Sequence, residues 1–181
     1  MKIKTKLSLL LTLIIALLLI VLNLFIYSIS RSFASNDFFY RLRMRTYAAA
    51  NVYLEEDEVS NKVFLGFQKV LLEKLPGETI RLYDFKNQPA FIVDSLPSFF
   101  PITIIEKTRK EKTYKSKVNG IYTYGIFYPD NQGDFVILAS ATDKIGDTKL
   151  EQLGKGLLTG FLFSIFILFF IGIGMIIYAG I

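Results

Sequence analysis

Residues 157–178 read LLTGFLFSIFILFFIGIGMIIY, a run without a single charge. At roughly 1.5 Å of rise per residue, a helix of about 22 residues is about 33 Å long, enough to cross a hydrocarbon core of about 30 Å. A second run of this kind, residues 7–27, lies near the N-terminus. Between the two, residues 28–155 have ordinary globular composition and suffice for one small domain with its own core, not two. The sequence thus divides into an N-terminal tail (1–6), a first span (7–27), a middle domain (28–155), a second span (156–178) and the start of a further segment (179–181).

Composition narrows the chemistry. The chain is 52% hydrophobic, with the apolar residues gathered at its two ends, and it has neither Cys nor His. That removes disulfides, Cys-based zinc sites, thiol nucleophiles and every mechanism that uses imidazole as base or ligand. The net charge of +5 is modest, and Lys2, Lys4 and Lys6 of the tail account for part of it. A nucleic-acid partner is not expected.

Those three lysines stand directly before the first run, and positive flanks stay in the cytoplasm. The N-terminus is therefore expected inside, the middle domain outside, and the second span returns the chain to the cytoplasm. In a bacterium this places the protein in the inner membrane with a periplasmic middle domain. The competing reading is a cleaved signal peptide with Ser32-Phe33-Ala34 at the cleavage site. Signal cores run about 7–15 residues, shorter than this one, and the helical pattern continues past Ala34, so an anchor is favoured. No Lys or Arg follows the second span, and the sequence reads as the input portion of a longer protein.

After the first span, Phe39, Leu42, Thr46, Ala49 and Tyr53 step by three and four, the spacing of one helix face. A long helix is expected here, packing on its own domain or pairing with a second copy. Arg41 and Arg45 share a face of it and Arg43 points elsewhere; they read as a solvated helix face near the membrane, or as a contact for lipid phosphates or an anionic ligand. Glu55-Glu56-Asp57-Glu58 reads as a solvated helix end or a divalent-cation site. Ser60 caps a second expected helix over 61–75, with Val63, Phe64, Phe67, Val70 and Leu71 buried and Pro76-Gly77 ending it.

The remainder is strand-rich. Residues 79–85 and 90–93 read as strands joined by a turn at Lys86-Asn87-Gln88-Pro89, and a short helix is expected over 102–110, with Pro101 in its first turn. Residues 114–118 and 121–128 flank Asn119-Gly120, the strongest short hairpin signal. A turn over 129–133 leads to a closing strand, 134–142. Short turns between successive strands imply an antiparallel sheet, and helices followed by such a sheet give an α+β domain. Asp147 is expected to cap a last helix running straight into the second span. In that span Gly156, Gly160 and Ser164 recur every four residues, a spacing that lets two helices pack closely and that also occurs as span background. Asn23 is a lone polar group in the first span, placed either to bond a partner helix or to reach the headgroups.

Three stretches carry a resemblance: residues 41–60, RLRMRTYAAANVYLEEDEVS; residues 81–92, RLYDFKNQPAFI; and residues 125–140, GIFYPDNQGDFVILAS. They resemble the exit helix and two hairpins of the N-terminal input region of membrane-bound sensor histidine kinases of the Bacteroidetes type. The resemblance implies a PAS-like or Cache-like periplasmic domain, a homodimer, a small-molecule or envelope signal, and control of ATP-dependent phosphotransfer to a cytoplasmic response regulator. The phosphoacceptor His, the ATP-binding boxes and the HAMP linker are absent from this chain, so no catalytic residue or cofactor is assigned to it.

A pocket in such a domain would lie between the sheet and its covering helices. Its candidate lining is Arg81 and Tyr83 on the first strand with Tyr122, Tyr124 and Tyr128, which share one face by alternation. The tyrosines serve equally as core packing. Asp84, Asp94, Asp130 and Asp134 form no recognisable catalytic pair, and Asp130 and Asp134 read as turn residues. Two other functions share the same architecture: the input module of a chemoreceptor or cyclic-nucleotide enzyme, and a non-signalling membrane assembly protein whose outer domain binds a partner.

Overall fold

Alternation along residues 121–142 sets the architecture, because side chains of both parities there are apolar and both faces of the resulting strands must be covered. The computed structural model describes residues 3–54, 61–90, 100–130 and 133–178. In chain order the elements are α1 (Ile3–Leu54), α2 (Asn61–Leu72), β1 (Thr79–Tyr83), β2 (Pro89–Ala90), α3 (Ile102–Glu111), β3 (Thr113–Val118), β4 (Ile121–Asp130), β5 (Gly133–Thr142) and α4 (Lys144–Tyr178). The chain divides into two units, one of Met1–Ala34 with Ile145–Ile181 and one of Ser35–Lys144.

The second unit is α+β, with a five-stranded antiparallel sheet in the order β2-β1-β5-β4-β3. Asn119 and Gly120 both take positive φ, 50° and 79°, as the expected two-residue hairpin turn requires, and Val118 pairs with Ile121 across it. β1 lies beside β5, with Leu82 opposite Ile137. On one face Leu82, Tyr122, Tyr124, Ile126, Phe135, Ile137, Ala139 and Ala141 pack against Phe38, Phe39, Leu42, Ala49 and Ala50 of α1. On the other, Tyr83, Val136 and Leu138 pack against Ile105 of α3, with Ile104, Phe100 and Phe127 around them. Fully burying one such aliphatic or aromatic side chain is worth about 1.5–3 kcal/mol.

The helix face expected from 39, 42, 46 and 49 is buried as the spacing requires, and it packs on its own domain. Several boundaries differ. α2 stops at Leu72, not at 75, because the chain turns through Pro76 and Gly77 (φ 63°) and its last carbonyls are taken by Arg45. Val70 is exposed instead of buried: the inward row runs through Phe67, Leu71 and Leu75, leaving Val70 on the flank. Pro101 precedes α3 as its N-cap. β4 and β5 extend to the pairs Pro129–Asp134 and Asp130–Gly133, so Asp130 and Asp134 lie in paired strands, not in the turn. α4 begins at Lys144, which puts Asp147 inside its first turn, not at its cap, where its charge still suits the helix dipole. Ser60, the acidic run 55–58, the side chains of Val63 and Phe64, residues 91–99 with Asp94, and residues 131–132 lie outside the described parts.

The first unit consists of the N-terminal part of α1 and most of α4, two helices long and apolar enough to cross a membrane. Hydroxyls in α4 are satisfied within the helix: Thr159 donates to the Lys155 carbonyl at 2.9 Å and Ser164 to the Gly160 carbonyl at 2.8 Å. That is the arrangement a hydrocarbon environment demands of polar groups.

Candidate functional site

The sheet does not bring the five pocket candidates together. Arg81 and Tyr83 alternate with Leu82 and lie on the face under α3, whereas Tyr122, Tyr124 and Tyr128 lie on the face under α1. Strand alternation alone makes this division, once β1 is paired to β5.

Under α1 the tyrosines pack. The Tyr122 ring sits 4.6 Å from Phe38 and 4.9 Å from Phe39, and its hydroxyl accepts from the Lys117 ammonium. Tyr124 is buried in the same layer, and burial raises its phenol pKa above the ordinary value, with the Arg43 charge opposing and Tyr47 adding. Tyr128 is half-buried at the edge of this cluster. Their rings belong to the core on this face.

The face under α3 is different in character. Arg81 is 3% exposed and donates from Nη1 to the Ile80 carbonyl at 2.8 Å. The Tyr83 hydroxyl accepts from the Phe100 N–H at 3.0 Å. Burial raises the Tyr83 pKa, against the opposing effects of that hydrogen bond and of the Arg81 charge. Next to Arg81 along the strands, register aligns Thr79 with Ser140 and Ser140 with Thr123, and Thr123 with Ser116. A row of hydroxyls thus crosses the sheet beside a buried guanidinium. Nothing in the linear sequence marks these residues, since they come from separate strands and meet only through register.

α3 is held tightly over this face. A Cβ on Gly125 would stand 2.5 Å from Leu138 Cδ2 and 3.0 Å from Thr108 Oγ1, so the helix approaches the sheet only because Gly125 has no side chain. Arg109 fastens the helix to the β1–β2 turn, donating to the Asp84 carbonyl at 2.7 Å and to Asn87 Oδ1 at 3.0 Å. The turn is set by Asp84 Oδ1, which accepts from the N–H groups of Lys86 and Gln88, with Asn87 at φ 60°.

The three arginines of α1 part company. Arg43 is exposed and stacks over Tyr47. Arg41 is half-exposed and paired with Asp37 at 3.1 Å and with buried Asp143 at 3.6 Å. Arg45 is not on a solvated face at all. It is 5% exposed, ion-paired to Glu78, and donates to the carbonyls of Val70, Leu71 and Glu73.

In the apolar unit, a Cβ placed on Gly156 or Gly160 would meet nothing within 4 Å, and it is Gly154 that lies against Tyr27 of α1. The small-residue row of α4 therefore points away from its own chain's α1. Among the described residues no group of three or more His, Cys, Asp or Glu side chains converges as a metal site. No protein-family model and no curated protein sequence matches this chain.

Proposed function

We propose that the chain is the extracytoplasmic signal-input module of a bacterial inner-membrane receptor of the sensor histidine kinase kind. In this reading a PAS-like or Cache-like domain stands in the periplasm between two spans, both termini are cytoplasmic, and the module works as a homodimer. A small polar or anionic molecule of the cell envelope is held on the α3 face by Arg81 with the hydroxyls of Thr79, Thr123 and Ser140. The signal passes inward to a phosphotransfer domain and from there to a response regulator. The antiparallel sheet with helices on both faces supports the domain assignment.

The observation that carries this reading is continuity. α1 is one helix from Ile3 to Leu54, bearing both an apolar run and the core residues Phe38, Phe39 and Leu42. At the other end, β5 finishes at Thr142 and α4 starts at Lys144. A displacement of the sheet therefore has no loop in which to dissipate before it reaches the last helix.

The test joins the chain after residue 181 to the dimerisation and ATP-binding domains of a histidine kinase and measures autophosphorylation in membrane vesicles. Two glycines inserted after Asp143 are expected to shift basal autophosphorylation and abolish its modulation, while Lys110→Ala leaves both as they were. Equal output with and without the insertion would remove the signalling role. A cysteine replacing Lys110 is expected to react with an impermeant maleimide in intact spheroplasts, and its protection there would overturn the orientation.

A further inference from the structure

The two apolar helices leave a groove between them of about 270 Å³. Leu24 and Tyr27 of α1 and Leu157, Phe161 and Gly154 of α4 line it, and a Cβ on Gly154 would stand in ordinary contact with Tyr27 Cε2 at 3.5 Å. Two polar side chains belong to its lining, the Tyr27 phenol and the Asn23 carboxamide, and the carboxamide makes no side-chain hydrogen bond among the described residues. An amide left without a partner in hydrocarbon is costly, and such groups mark binding positions.

The occupant follows from size, depth and chemistry. A single run of methylenes fits a groove of this volume. Tyr27 belongs to the interfacial level where tyrosines collect, and Asn23 lies one turn, about 6 Å, deeper. That is the level of the glycerol ester carbonyls, which accept hydrogen bonds and are supplied by the bilayer itself. We infer that the groove between α1 and α4 holds one acyl chain of a diacyl glycerophospholipid from the leaflet at the Tyr27 end, with the Asn23 amide donating to its ester carbonyl. A chain lodged there packs against both α1 and α4, the two helices that the proposed receptor uses for signalling. The inference rests on reading both helices as membrane spans.

The full chain is reconstituted into nanodiscs containing phosphatidylethanolamine with a diazirine midway along one acyl chain, irradiated, and its adducts mapped by peptide mass spectrometry. Adducts are expected to concentrate on residues 154–161 and 20–27. Gly154→Leu, which fills the groove, is expected to lower them about five-fold and Asn23→Leu about three-fold, the scale of losing one modest contact, with labelling near Phe169 and Phe170 unchanged as the internal reference. Even labelling around both helices, or labelling indifferent to Gly154→Leu, overturns the groove site while leaving the spans in place. Cross-links between two copies through Leu24 or Leu157 also overturn it, in favour of a helix as occupant. A chain extracted from membranes by alkaline carbonate, and absent from the nanodiscs, overturns the span reading and the groove together.

Discussion

Arg45 of α1 and Glu78, which precedes β1, form an ion pair whose side chains are 6% and 4% exposed. The same guanidinium donates to the carbonyls of Val70, Leu71 and Glu73, and the Glu78 carboxylate also accepts from the Leu75 N–H at 3.1 Å. One side chain therefore terminates α2, closes the turn through Pro76 and Gly77, and ties both to α1. Removing one partner of a buried pair leaves the other charge without compensation. Arg45→Met is expected to destabilise the fold by about 3–5 kcal/mol. Thermal unfolding of the full chain in detergent, followed by near-ultraviolet circular dichroism of the tyrosines, reads the loss. The double variant Arg45→Met, Glu78→Leu is expected to recover part of it but not all, because the α2 carbonyls still lack their donor.

Gly125 makes a sharper prediction about the α3 face. Its missing side chain admits both Leu138 and Thr108, and Thr108 is pinned by its own hydrogen bond to the Ile104 carbonyl at 2.7 Å. Gly125→Val is expected to cost about 1–3 kcal/mol by overpacking. Leu138→Ala alone also destabilises, by opening a cavity, yet the pair together should cost less than the sum of the two. A double-mutant cycle measures that coupling. Strict additivity would mean that the Leu138 side chain does not close over Gly125.

The buried phenols give the fold an alkaline limit. Tyr83 and Tyr124 both have pKa values raised above the ordinary 10.0, each chiefly by burial. Above that pH the unfolded chain gives up these protons before the folded one does. The folded state then binds more protons, and stability falls as pH rises. Their contribution is intact below pH 10 and is lost progressively above it, through the raised folded values. Denaturant unfolding at a series of pH values from neutral to strongly alkaline is expected to show this decline, and Tyr124→Phe to flatten it. Phenolate absorbance should rise late for these two residues and coincide with unfolding.

The linear sequence makes legible whatever is decided locally. The charge-free runs, the helix face of Phe39, Leu42 and Ala49, and the Asn119-Gly120 hairpin each carry their signal within a few residues. The candidate pocket is not decided locally. Arg81 and Tyr83 are parted from the three tyrosines only because β1 inserts beside β5, a pairing across more than fifty positions that periodicity cannot express. The hydroxyl row of Thr79, Ser140, Thr123 and Ser116 is invisible for the same reason. In the sequence Arg45 is one of three like residues on a helix. Its role depends on where α2 ends, and α2 ends there partly because Arg45 supplies the cap.

The proposed homodimer would meet along exposed residues of α1 and α4. Phe33, Tyr40 and Met44 are exposed on α1 at intervals of seven and four residues, which keeps them within about 20° of one line along the helix. They lie away from the row that packs on the sheet, so a second copy can meet them without disturbing the core. In α4 the Gly156 and Gly160 positions also face open space, and small residues four apart let helices approach closely. The absence of native Cys makes the test clean. Tyr40→Cys and Met44→Cys are each expected to form disulfide-linked dimers in membranes on mild oxidation, and Lys110→Cys, on the exposed side of α3, to remain monomeric. Gly160→Leu should weaken dimerisation without altering the folding of the monomer, since nothing of its own chain lies within reach of the added Cβ. Cross-linking at Lys110 in preference to Tyr40 would place the seam on α3 instead, and the helix continuity of α1 would then have to transmit its signal without a partner helix to move against.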